Sequence, residues 1–192
     1  MSQPCMDFQA PPVGRSAWRH RLSSIVVGVV LCGLGACTPA LNWREVRFDN
    51  ALLVGWMPCK PDRAQRTVDL GGQAGQLSLM GCEADGMDFT LAQLALPSSL
   101  SAAQAQQAWK TASLASLQAP ADAPSQAWVL AGASPAMAPQ RTVAQGGQGL
   151  SARWAWFAYD GQLYQAAVYV RASRAAQAEQ AMDSLLAGLR LP

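Results

Sequence analysis

The sequence predicts an α+β domain behind an N-terminal targeting leader, and three observations carry that expectation. Segments of period-two alternation, separated by turn residues, crowd residues 43–96. Two stretches, about 101–117 and 173–189, carry apolar residues at helical spacing. Between them, Leu150–Tyr159 and Gln162–Val170 flank Asp160-Gly161, a two-residue signature of a β-hairpin.

The leader comes first. Arg15, Arg19, His20 and Arg21 form a positive segment, and Leu22–Leu34 is an apolar core of 13 residues. That run is shorter than the roughly 20 residues a spanning helix needs, so a retained transmembrane anchor fits poorly. It ends in Leu34-Gly35-Ala36-Cys37, which resembles a bacterial lipobox. Residues 1–36 are therefore expected to be a lipoprotein signal peptide, with a plain signal peptide as the alternative. Cys37 is the expected lipidated residue, 37–42 a short tether and 43–192 a single domain. Thr38 after the cysteine, in place of an inner-membrane retention Asp, points to the periplasmic face of the outer membrane.

Cleavage before Cys37 changes the chemistry. Arg15, Arg19, Arg21 and Asp7 leave with the leader, so 14 basic and 12 acidic residues become eleven of each. The basicity belongs to targeting, and nothing in it argues for nucleic acid. The single histidine, His20, leaves too, which excludes Ser-His-Asp and Cys-His catalysis and any histidine-ligated metal in the mature chain. Of five cysteines, Cys59 and Cys82 remain beside the anchor. In an oxidising periplasm they are expected to form one structural disulfide. A redox pair is the alternative, but such pairs usually sit in C-x-x-C.

In the mature chain, Trp43–Phe48 and Ala51–Met57 read as strands joined at Asp49-Asn50, the second ended by Pro58-Cys59-Lys60-Pro61. Arg66–Leu70, Gln76–Cys82 and Met87–Leu96 follow as strands. Together they are expected to form four or five consecutive antiparallel strands, a meander. Ser99 or Ser101 can cap a helix to about Leu117. Gln126–Leu130 and Gln140–Val143 read as short strands around an irregular stretch rich in Gly, Pro and Ala. In the hairpin, a two-residue loop pairs Tyr159 with Gln162, Phe157 with Tyr164 and Trp156 with Gln165. One face then carries Trp154, Trp156, Leu163, Ala167 and Tyr169. The other carries Phe157, Tyr159, Tyr164, Ala166, Val168 and Val170. Two apolar faces imply cover on both sides. Ala175, Ala178, Met182, Leu185, Leu186 and Leu189 give the last helix a stripe to lay on a sheet.

The order of these elements, with the phrases "PCKP", "QLSLMGCEADGMDFTLAQLALP", "YDGQLYQAAVYV" and "AMDSLLAGLRL", resembles the PsbP-like superfamily, which includes the DcrB-like envelope lipoproteins. The resemblance covers nearly all of the mature domain. It implies a central antiparallel sheet of about six to seven strands with helices on both faces, an α/β/α sandwich. It also implies an accessory binding role, members being mostly non-enzymes. It carries no functional residues across, because no functional motif is shared.

Candidate sites are few. Glu83, Asp85 and Asp88 could be oxygen ligands for calcium, but their spacing misses the 12-residue loop pattern, and an acidic hairpin turn accounts for them. No metal site is expected. Lys60, Arg63 and Arg66 could meet an acidic partner or lipid headgroups, or form a solvated edge that discourages strand addition. Trp154, Trp156 and Tyr169 could anchor a partner, or be core beneath a helix. The Gly-rich turns lack the Gly-Lys-Ser/Thr of a P-loop, so no cofactor is expected. The sequence is thus read as a non-catalytic, membrane-anchored envelope module with an envelope protein as its possible partner. A periplasmic hydrolase or metal-dependent enzyme, and an immunity or inhibitor protein, are the alternatives.

Overall fold

The computed structural model describes residues 41–70 and 72–192. The leader, Cys37 and the residues up to 40 lie outside the described residues. The described residues form one compact unit, and both apolar cores and the disulfide lie within it.

Among the described residues, nine strands and two main helices follow in order. The strands are β1 (Arg44–Arg47), β2 (Val54–Met57), β3 (Asp62–Asp69), β4 (Ala74–Ala84) and β5 (Met87–Ala95), then helix α1 (Ala102–Leu117). After it come β6 (Ser125–Ala127), β7 (Gln140–Gln145), β8 (Leu150–Tyr159), β9 (Gln162–Arg171) and helix α2 (Ala175–Ala187). Seven strands make one antiparallel sheet in the order β3-β4-β5-β9-β8-β7-β6. The fold is α+β, with a helix on each face.

The central hairpin has the register expected from its turn: Tyr159 opposite Gln162, Phe157 opposite Tyr164, Trp156 opposite Gln165. Asp160 and Gly161 both take positive φ, 48° and 68°, as a right-twisted two-residue turn requires. Alternation then sends the two sets of side chains into two cores. Phe157, Tyr164, Ala166 and Val168 pack with Ala178, Met182 and Leu185 of α2. Trp154, Trp156, Leu163 and Ala167 pack with Ala105, Leu114 and Leu117 of α1. Helix α1 starts in a capping box, Ser101 Oγ accepting from the Gln104 backbone N–H at 3.2 Å while Gln104 Oε1 accepts from the Ser101 N–H at 3.0 Å. It stops at Gln118, in the left-handed region.

The meander of four or five strands needs correction. β1 and β2 pair only with each other among the strands, as a separate ribbon. Its inward residues Val46, Leu53 and Met57 cover the core on the α2 side. Pro58 and Pro61 break the ladder after β2, so the ribbon turns back over the sheet instead of extending it. β3 in turn begins at Asp62, directly after Pro61, four residues before Arg66. β6 ends at Ala127 rather than Leu130; beyond it the Trp128 N–H still donates to the Pro139 carbonyl at 3.1 Å.

Candidate functional site

Cys59 and Cys82 are joined, with Cα atoms 6.0 Å apart and a sequence separation of 23 residues. The bond ties the segment that follows the ribbon to β4. Cys37 lies outside the described residues.

Of the two readings of the aromatic trio, partner surface or core beneath a helix, the tryptophans follow the second. Trp154 and Trp156 are 0% exposed, because α1 lies across the face of β8 that carries them. Their rings sit 5.9 Å apart, and Trp154 Nε1–H donates to Tyr169 Oη at 3.1 Å. Only Tyr169 is partly open to solvent. The two tryptophans are core.

The basic trio is also divided. With β3 starting at Asp62, Arg63 and Arg66 are three apart on one strand and face opposite ways. Arg63 turns to the ribbon, donating to the Arg47 carbonyl at 2.7 Å and lying 3.8 Å from an Asp49 carboxylate oxygen. Lys60 is exposed, and with Arg63 it lines a shallow depression beside the ribbon. Arg66 points to the α1 side. Among the three acids, Asp85 takes φ 49° in the β4–β5 turn and pairs with Arg174 at 2.9 Å. Glu83 stands opposite Asp88 across the hairpin. Among the described residues, His, Cys, Asp and Glu side chains do not gather in threes.

What sequence reading misses is a groove of about 350 Å³ between α1 and the β3–β5 half of the sheet. Leu77, Leu79, Ala92 and Leu94 line its floor, and Trp109 and Ala112 its helical wall. The groove exists because of how α1 distributes its bulk. Leu114 and Leu117 are buried in the core beside β7 and β8, whereas Ala112, Ser113 and Ser116 face β3–β5 and fill little space. The lining also carries polar groups. Gln165 Nε2 donates to Ser113 Oγ at 3.2 Å. Burial pushes the Tyr169 phenol pKa up, opposed by the Trp154 hydrogen bond and then the Arg66 charge, with Asp88 adding a smaller upward push. Tyr169 therefore stays a neutral donor. Arg66 sits at the rim, without an ion pair among the described residues.

A second depression of similar volume, on the other face, is polar. Two of its glutamines bond to each other, Gln93 Nε2 donating to Gln162 Oε1 at 3.1 Å. Sequence reading also misses a buried cation. Arg153 of β8 is 6% exposed, donating Nε–H to Glu179 Oε2 at 2.7 Å and Nη2–H to the Ala175 carbonyl. Arg141 joins it through Glu179 at 2.9 Å and Asp183 at 3.0 Å. This network fastens α2 to β7 and β8, a structural use of charge.

No protein-family model matches this chain, and no curated protein matches it by sequence. Among solved structures, it is similar to the solution structure of cyanobacterial PsbP (CyanoP) from Synechocystis sp. PCC 6803. The TM-score is 0.50 at 10% identity, over 84% of this chain and 99% of that one. A likeness at that identity speaks for the fold alone, and the chain has a PsbP-like fold.

Proposed function

We propose that the protein is an envelope lipoprotein, held by an acylated Cys37 at the periplasmic face of the outer membrane, where it acts as a non-catalytic binding or accessory module. In this reading it belongs with the DcrB-like lipoproteins of the PsbP-like superfamily. The observation that carries the proposal is the Cys59–Cys82 disulfide. Such a bond persists in the oxidising compartment to which a lipobox would deliver the chain. The composition supports the non-catalytic part. Without His20, the groove under α1 offers a phenol, an amide, hydroxyls, a guanidinium and one carboxylate, Asp69, which accepts from the Gly72 N–H. The set suits holding a ligand more than moving its protons.

Metabolic labelling with tritiated palmitate tests the anchor. The wild-type chain takes up label and Cys37→Ala does not. Equal labelling of both, or no labelling of the wild type, would contradict the proposal.

A further inference from the structure

We infer that the groove beneath α1 is a ligand site for a small amphiphile, a single apolar chain or ring system that ends in one carboxylate. This deepens the binding-module reading and rests on it, while owing nothing to the membrane anchor.

Three features of the groove define that chemistry. Its volume of about 350 Å³ falls within the range of small-molecule sites, about 300–1,000 Å³. Its floor is aliphatic, from Leu77, Leu79 and Leu94, and Trp109 offers a flat wall, so the body of the ligand must be apolar. Two polar groups of the lining, Tyr169 and Arg66, have donors to spare. Trp154 Nε1–H occupies a lone pair of Tyr169 Oη, and among the described residues the phenol proton meets no acceptor. Arg66 adds a planar guanidinium at the same side of the sheet, suited to a carboxylate. Asp69, also in the lining, is already engaged, accepting from the Gly72 N–H at 2.6 Å. Asp88 follows on the α1-facing side of β5, beyond the lining, opposite Tyr169 in the β5–β9 register.

The test is a calorimetric titration of the soluble chain 38–192 with decanoate and with decan-1-ol. Decanoate should bind saturably with one site per chain. Ala112→Phe, which fills the groove from the exposed side of the helix, should weaken both ligands at least tenfold without lowering the thermal midpoint. Arg66→Gln should weaken decanoate roughly tenfold, the value of one charged hydrogen bond, and leave decan-1-ol unchanged. No saturable binding up to about 1 mM would overturn the inference, as would binding undiminished in Ala112→Phe or an equal affinity for the alcohol. Because the soluble chain lacks Cys37, failure here is distinguishable from failure of the anchor, which palmitate labelling reads.

Discussion

Tyr164 sits in the central hairpin with its ring stacked on Phe157, centroids 5.1 Å apart, and its hydroxyl buried without a hydrogen-bond partner. An unsatisfied hydroxyl costs free energy that a matching apolar ring does not, so Tyr164→Phe should leave stability at pH 7 unchanged or raise it. Burial, then the charge of Asp160, then Tyr159, pushes the phenol pKa from 10.0 up to about 12. The folded state therefore favours the neutral phenol. This contribution is fully present below the unfolded pKa and is lost as pH rises from about 10 to about 12, by at most about 2–3 kcal/mol. Urea unfolding at pH 8 and pH 11 should show a loss in the wild type that shrinks in Tyr164→Phe. An identical loss in both would remove Tyr164 as its source. At this scale the aromatic alternation could be read from sequence, since strand period two assigns Trp154 and Phe157 to opposite faces. Burial could not: whether Trp154 and Trp156 meet solvent depends on α1, forty residues away.

At the level of elements, the ribbon of β1 and β2 is what the disulfide serves. The ribbon is two strands of four residues each, too small to be stable alone. It is held by Val46, Leu53 and Met57 against the sheet and by Cys59–Cys82 just beyond it. Replacing both cysteines by alanine should lower stability by about 3 kcal/mol on a loop-entropy basis. The loss should appear first as faster amide exchange in 44–57, ahead of β8 and β9. Uniform exchange across the domain would contradict that local role. The meander expectation failed here for a physical reason. Alternation marks a segment as strand but not its neighbour, and the proline pair at 58 and 61 was legible only as an ending. β3 was read too short because Asp62 to Gln65 have no apolar member but Ala64. Their backbone pairing with Gly81 to Ser78 makes them strand all the same. The close approach of Gly146 to α1 is equally invisible in sequence. A Cβ there would lie 1.8 Å from the Leu117 carbonyl oxygen, so only glycine lets the chain pass the end of the helix.

Across the whole molecule, the class of fold was legible because both faces of one hairpin are apolar and two helical stripes were available to cover them. The groove was not. Its walls come from β3, β4, β5, β9 and α1, and it arises from small residues placed where larger ones would fill the space. Trp109 and Ala112 read as ordinary members of a helical stripe, and Arg66 as one of three like charges. Only packing shows that Arg66 alone faces the α1 side. The buried Arg153 is illegible for the same reason, because its partner Glu179 lies 26 residues on. The proposed leader carries the rest of the account: it would set the compartment, and its removal would leave a mature chain with balanced charge, no histidine and two cysteines to join. The most direct measurement is the intact mass of the N-terminal peptide from protein extracted out of bacterial membranes. The account predicts a peptide beginning at Cys37 and carrying the mass of a diacylglyceryl group, with or without an N-acyl chain. An unmodified N-terminus at any other residue would contradict it.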